Sequence, residues 1–381
     1  MVSLRKLEVV DFRSFSTGKF EFDVSGTTVL LGENGSGKTS LVEAIAFLGS
    51  GYSFRGTTRD MMIRTGCDRS VIRAELSAGE RQLLVEAQIV FGAGAHFQVN
   101  RQVIKSTSQL FEVIPAVIFS PNDLNLVQGG PGPRREYLDS SITIVDPPVG
   151  QLLSDLDKVL RQRATLLRQS GGRLEPGIVS TLDVWDDRLS ELGEAVAAAR
   201  KDMIERLNPY VGEAYRLLAG QSGGVIAMSY SSTWTPSLSE ALKNCRSDDI
   251  KRAVNTVGPH RDDLHLEIDG RSLRNQASQG EQRCMALSLK LGFYEMVVQE
   301  TSTVPILLLD DVFSELDPAR GVALMSALPR GQSIVTTSIP LPRASSREHE
   351  HNFNVCVIGT DGFSGTTYLD DKVTREEREP R

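Results

Sequence analysis

Apolar and polar residues alternate along the first thirty positions. "LRKLEVVDF" (4–12) and "KFEFDV" (19–24) predict strands with one buried face, and "TTVLL" (27–31) is a short continuous apolar run, a strand covered on both sides. A glycine-rich turn fills 32–37. Leu41, Val42, Ile45 and Leu48 then share one face of a helix predicted over 39–48. Alternation returns around 71–104 in "SVIRAEL", "LLVEAQIVF" and "AHFQVN", with "GAG" (92–94) as a hairpin turn.

The period changes near 121. From about 134 to 220 it is helical, and "SGGRLEPG" (170–177) breaks two of the helices. Further along come a strand at "GVIAMSY" (224–230), a buried helix at about 282–299, and strands at "VPILLLD" (304–310) and "SIVTTS" (333–338). The charged tail "TREEREPR" (374–381) is expected to be disordered. Strand–helix segments therefore stand at both ends, and the chain reads as α/β. Residues 1–120 and 255–381 are expected to form one discontinuous domain, with 121–254 as a mainly helical insert. The insert lacks sustained heptads, so it makes a short arm and no long coiled coil.

Composition narrows the setting. The 381 residues are 40% hydrophobic and 24% charged, and 42 Lys and Arg against 49 Asp and Glu leave a net charge of −7. An acidic chain needs a local basic face to hold nucleic acid. Cys67, Cys245, Cys284 and Cys356 are scattered without a CxxC pair, which argues against a disulfide framework or zinc and for a reducing, cytoplasmic setting. No signal-peptide core is evident, and no run reaches the ~18 apolar residues of a membrane span.

The chemistry begins with "GENGSGKT" (32–39), a G-x-x-x-x-G-K-T phosphate loop between a predicted strand and helix. Gly32, Asn34, Gly35, Ser36, Gly37, Lys38, Thr39 and Ser40 are candidate ATP contacts. Main-chain N–H groups of 35–39 would cradle the β-phosphate, Lys38 would neutralise the β and γ oxygens, and the Thr39 hydroxyl would ligate Mg²⁺. The plain alternative is a glycine turn with an incidental lysine. "ILLLDD" (306–311) ends a buried strand in two acids, whose mutual repulsion calls for a cation or a proton. Asp310 would hold Mg²⁺, directly or through water, and Asp311 would orient or activate the attacking water, unless the pair is only an acidic turn. In "ASQGEQRC" (277–284), Ser278, Gly280 and Gln282 precede an apolar run. They make either an anion site at a helix N-terminus or an ordinary cap.

The order of these motifs, with "SELD" (314–317) after the acids, resembles the ABC-type ATPases. Within them the chain is similar to the RecF family, relatives of the SMC proteins. The resemblance is carried by "LEVVDFRSF" (7–15), "LGENGSGKTSLVEAI" (31–45), "SFR" (53–55), "FSPNDLNLVQGGPGPRREYLD" (119–139), "LRQRATLL" (160–167), "VGPHRDDL" (257–264), "ASQGEQR" (277–283) and "LLLDDVFSELDPAR" (308–320). It implies an ABC-type ATPase head in which Ser278, Gly280 and Gln282 bind the γ-phosphate of an ATP held by the other subunit, two ATP being sandwiched in an ATP-dependent homodimer. It also implies a weak, DNA-stimulated ATPase used as a switch. The resulting clamp would bind DNA without sequence preference at gaps and single-strand–double-strand junctions, and would act with RecO and RecR to load RecA on SSB-coated strands in the SOS response. Two rivals are a transporter-type ATPase subunit, disfavoured by the insert and by a missing switch histidine, and a nucleotide-gated protein scaffold.

Several positions depart from the wider superfamily or stay open. Asp311 replaces the usual glutamate, which suggests slow hydrolysis. Thr336, Thr337 and Ser338 compete for the switch position, and Asn122 and Asp123 for that of the γ-phosphate-sensing glutamine. His260 is expected to be structural or to lie at a subunit or DNA face; "EHEH" (348–351) reads as an exposed charged loop, and Trp185 and Trp234 as packing residues. The candidate phosphate anchors for DNA are Arg55, Arg59 and Arg64 after the loop helix, and Arg134, Arg135, Arg161, Arg163 and Arg168 in the insert. Any one of them alone could equally serve a surface salt bridge.

Overall fold

The N-terminal alternation becomes an antiparallel sheet of six strands. In spatial order they are Phe15–Glu21, Val2–Phe12, Arg69–Ala78, Arg81–Val90, Gly94–Val99 and Gln102–Ile104. Leu4 and Leu7 are three apart yet both fully buried, because the register against Arg69–Ala78 slips between Leu4 and Lys6. The extra residue of that bulge returns Leu7 to the core face.

The computed structural model describes residues 1–24, 26–104, 109–173, 175–220, 223–329, 331–340, 353–359 and 362–368. The "EHEH" loop and the 374–381 tail lie outside the described residues. Contacts divide the chain into two units: Met1–Asp123 with Arg216–Ser222 and Leu287–Arg381, and Leu124–Tyr215 with Gly223–Ala286.

The first unit holds the antiparallel sheet and a second six-stranded sheet, in the order Gly362–Tyr368, Phe353–Gly359, Thr27–Leu31, Ser333–Thr337, Ile306–Leu309 and Ala116–Phe119. The last five are mutually parallel. Helix Lys38–Ser50 shares one core with both sheets: Ile45, Phe47 and Leu48 cluster with Leu7 and Ile72 of one and with Leu308 and Ile334 of the other. Gln332 ties the two ends of the chain together. Its Oε1 accepts the Leu4 N–H at 2.7 Å, and its Nε2 donates to the carbonyls of Leu4 at 2.7 Å and Asp23 at 2.6 Å.

The second unit is helical apart from a three-stranded antiparallel sheet of Ile226–Ser231, Asp263–Ile268 and Arg271–Ser272. Its main helices are Pro131–Val145, Pro147–Gln169 and Leu238–Arg252, with most of the 44-residue Pro176–Ala219. The return to the first unit comes at Leu287 rather than at 255, because Asp263–Ile268 pairs with Ile226–Ser231 and holds the intervening segment in the second unit. Among the described residues, no helix is long and apolar enough to cross a membrane.

Candidate functional site

The phosphate-loop motif sits where the strand Thr27–Leu31 hands over to the helix that begins at Lys38. Gly35 and Gly37 have φ of 87° and 97°, in the left-handed region that favours glycine. At Gly37 a Cβ would also come within 2.5 Å of Cζ of Phe15, so any side chain there would push the ring off the loop. Lys38 folds back over the loop, and its Nζ donates to the carbonyls of Gly32 and Glu33, both at 2.7 Å. Burial lowers the Lys38 pKa, and the carboxylates of Asp311 and Asp310 partly offset that. Ser36 Oγ is buried without a hydrogen-bond partner.

Strand Ile306–Leu309 delivers the acids to the same place. Asp310 Oδ1 accepts the hydroxyl protons of Thr39 at 2.9 Å and Thr336 at 2.7 Å. Burial raises the Asp310 pKa, and the two hydroxyls pull the other way. Asp311 has φ 49°, and its N–H donates to Thr336 Oγ1 at 2.9 Å, while its Oδ1 is buried and unpartnered. Of the three residues left open for the switch position, Thr336 is the one that touches both acids. Thr337 instead uses its hydroxyl on the Ile339 carbonyl at 2.8 Å. These groups suit a nucleotide phosphate with a divalent cation: a folded-back lysine, an orphaned serine hydroxyl, a hydroxyl–carboxylate pair, and a second carboxylate with a free buried oxygen.

Ser278, Gly280 and Gln282 fall in the second unit. The helix starts at Gln279, before the expected 282, and Ser278 caps it. The Ser278 N–H donates to Glu281 Oε2 at 2.7 Å and the Glu281 N–H to Ser278 Oγ at 3.3 Å, a reciprocal capping box. Ser278 is exposed. Gln282 is corrected as a γ-phosphate contact. It is buried, its Nε2 donates to the carbonyls of Leu273 and Arg274, and its Oε1 accepts from Gln128 at 2.7 Å, so the amide is already spent.

Two of the eight DNA candidates are also corrected. Arg163 is fully buried, with Nε to Asp186 at 2.6 Å and Nη1 to Asp249 at 2.7 Å and Asn255 at 2.8 Å. Arg134 is buried against both oxygens of Asp263, each at 2.8 Å. To reach a phosphate, Arg163 would have to take its charge away from the buried carboxylates of Asp186 and Asp249, and Arg134 would have to give up the two-oxygen pairing with half-buried Asp263. Arg161 is exposed and pairs with Asp157 one helical turn away. Arg55 is exposed, 3.7 Å from Glu43, and Arg135 is half-buried with Nη1 on the Asp262 carbonyl at 2.8 Å.

For the sensing position, Asp123 is occupied by the Ser120 N–H and Lys290, whereas Asn122 is exposed. His260 is a packing residue: its Nε2 lies 3.1 Å from the Asn255 carbonyl, and burial lowers its pKa. Glu43 went unnoticed in the sequence. It is fully buried on the loop helix, accepting from Arg13 Nε at 2.7 Å and from Ser53 Oγ at 2.5 Å. Its signal is an acid inside an otherwise apolar helix.

Residues 3–340 match the RecF/RecN/SMC N-terminal domain. A DNA replication and repair protein RecF of Acidothermus cellulolyticus is 34% identical over 351 residues, covering 88% of this chain and 93% of that protein. A solved structure of an ATP-bound RecF, described as a recombination mediator of the RecFOR pathway, superposes with a TM-score of 0.83 at 28% identity over 97% of this chain and 98% of the other. The Smc head domain of Pyrococcus furiosus superposes at 0.56 with 15% identity over 97% of both chains, a likeness of fold: the ABC-type ATPase head.

Proposed function

The chain belongs to the RecF family, and from that premise we propose that it is an ATP-driven DNA clamp of replication and repair. The observation that carries this is the unfinished hydrogen bonding of the acid–hydroxyl cluster: Asp311 Oδ1 and Ser36 Oγ are buried and unpartnered beside a lysine, a threonine hydroxyl and Asp310. Gly32–Ser40 would hold the phosphates of ATP, with Lys38 leaving its two carbonyl acceptors for them. Thr39 and Asp310 would hold Mg²⁺. Among the described residues no cluster of three His, Cys, Asp or Glu could cage a metal, so phosphate oxygens and water would complete its shell. Mg²⁺ supplies charge neutralisation at the γ-phosphate. Asp311 would accept a proton from the attacking water. An aspartate is one methylene shorter than the glutamate usual in ABC-type enzymes, and hydrolysis is expected to be slow.

Ser278 and Gly280 head an exposed helix N-terminus, suited to an anion presented by a second copy of the chain. ATP would thus join two copies head to tail. The DNA contacts would come from Arg55, Arg135 and Arg161, anchoring phosphates without reading bases. As for the ATP-bound relative of the RecFOR pathway, RecO and RecR are the expected partners and RecA loading at gaps the expected outcome.

The test is Ser278→Arg beside Lys38→Ala. Ser278→Arg should bind ATP as a monomer almost normally and fail to dimerise in analytical ultracentrifugation, and mixing it with Lys38→Ala should restore one composite site and part of the ATPase. If Ser278→Arg loses monomer ATP affinity, the signature serves its own subunit and the sandwich is wrong. Filter binding of gapped DNA with and without ATP, across salt, separates the clamp from a scaffold that never touches DNA.

A further inference from the structure

Thr336 stands in the one strand that lies between the phosphate-loop strand and the acid-bearing strand: Ser333–Thr337 pairs in parallel with Thr27–Leu31 on one side and with Ile306–Leu309 on the other. The next residue, Thr337, receives the Gly32 N–H on its carbonyl at 3.3 Å, which ties the same strand to the entrance of the loop. The Thr336 side chain is fully buried and makes two bonds of opposite sense. A hydroxyl has one proton. Here it goes to Asp310 Oδ1 at 2.7 Å, and a lone pair accepts the Asp311 N–H at 2.9 Å. Each acid is thereby fixed through a different part: Asp310 through its carboxylate, Asp311 through its main chain.

Asp311 needs the second bond. Its φ of 49° is sparsely populated for an aspartate, and such a conformation persists only where the surroundings hold it. The carboxylate it carries has no partner on Oδ1, and the part of Asp311 that Thr336 holds is its main-chain N–H. Asp310 needs the first bond for a different reason. Oδ1 takes two hydroxyl protons, from Thr39 and Thr336, so the Thr39 proton points at the carboxylate and the lone pairs of Thr39 Oγ1 are left free.

We propose that Thr336 is a positioning residue for hydrolysis. Of the three residues that compete for the switch position, it is the one whose hydroxyl holds both acids. This rests on the reading of the site as an ATPase. It differs from a direct phosphate sensor, whose loss would weaken ATP binding; loss of Thr336 should leave binding intact and slow the step that follows.

The experiment compares the wild-type chain with Thr336→Val, which keeps the shape and removes the hydroxyl, and Thr336→Ser, which keeps the hydroxyl. The affinity of a fluorescent ATP analogue, single-turnover ATP hydrolysis and thermal melting are measured on each. Thr336→Val is expected to bind the analogue within about threefold of wild type and to hydrolyse ATP on the order of a hundredfold more slowly, the scale of a misplacement of about 1 Å. Thr336→Ser should hydrolyse within a few-fold of wild type. Equal loss in both variants, undiminished hydrolysis in Thr336→Val, or a loss of analogue binding as large as the loss of rate would overturn the assignment. If Thr336→Val does not fold, Thr336→Ser decides: a rate as slow as the acid-pair variant Asp311→Asn refutes it, and near-normal turnover supports it. A wild-type chain that binds no ATP sinks the ATPase reading itself, an outcome visible before any variant is compared.

Discussion

Asp262 and Asp310 are both almost shut off from solvent, at 0% and 3% exposure, and their surroundings differ. Asp262, in the second unit, accepts from Tyr230 Oη at 2.6 Å, Trp234 Nε1 at 3.1 Å, and the N–H and Oγ1 of Thr233 at 2.8 and 2.9 Å. Its neighbour network is similarly closed: Asp249 accepts from Arg163 and from Thr256, and Asp186 from Arg163 and Arg246. In the first unit, Asp310 has two hydroxyls on one oxygen, and the adjacent carboxylate of Asp311 keeps a buried oxygen with nothing on it. Burial alone therefore does not mark a working carboxylate. A closed set of donors rigidifies a unit, whereas an acid pair left short of donors is arranged for something that arrives. The second unit has leftover groups as well, but none is a carboxylate oxygen: Arg163 Nη2 and Arg246 Nε sit on cations that already face carboxylates, and the others include Asn208 Oδ1 and His260 Nδ1.

The sharpest way to break this contrast is at Arg163. Arg163→Met leaves Asp186 and Asp249 buried beside an apolar chain, and should cost about 3–5 kcal/mol of the second unit's stability in urea titrations. A loss under about 1 kcal/mol would show that the network holds nothing together. At the other site a lysine of similar burial should behave in the opposite way. Lys38→Ala should weaken ATP binding in calorimetry by about tenfold to a hundredfold, the scale of charge-assisted hydrogen bonds, and should abolish the ATP-dependent dimer. Its melting temperature should hold or rise, because burial works against the ammonium. A clear drop would make Lys38 a structural cation like Arg163.

The smallest effect sharpens the comparison most. The Asp310 pKa is raised, chiefly by burial, so ionisation burdens the folded state at neutral pH. Asp310→Asn, which keeps an acceptor for both hydroxyls, should melt above wild type when no nucleotide is present. The sign fixes the window: the burden is absent below the unfolded Asp value of about 3.9 and grows as pH rises past it, so the two melting curves should converge in acid. A gap independent of pH would mean that packing, not charge, separates them.

Much of the first unit could be read from spacing. The strands Val2–Phe12 and Thr27–Leu31, the loop helix and the acid-bearing strand follow from alternation or short apolar runs, whereas the strand expected over 19–24 runs from Phe15 to Glu21. Ala116–Phe119 could not, since four residues carry no period, and Leu238–Arg252 has too few apolar positions for a clear stripe. At the site, the residues that make covalently local motifs were legible: Lys38, Thr39, Asp310 and Asp311. Thr336 was one of three equal candidates, because only the strand order decides which hydroxyl meets the acids. Arg163 was not separable from its neighbour Arg161 for a related reason. Arg163 and Arg161 are two residues apart on one helix, where the hundred-degree step per residue turns one inward and the other outward.

The strand that ends in the phosphate loop has both of its neighbours, Ser333–Thr337 and Phe353–Gly359, in the last part of the chain. Leu4 and its partner Gln332 are separated by 328 positions. During synthesis at about 5–20 residues per second, roughly a quarter of a minute to a minute passes between the two leaving the ribosome. Throughout that time Thr27–Leu31 has two open edges and an apolar sequence, the combination that invites pairing with the wrong chain. The hazard ends only when the last part of the chain supplies both neighbours. A chain that ends before Gln332 would carry the phosphate loop without either neighbour of the strand that leads into it.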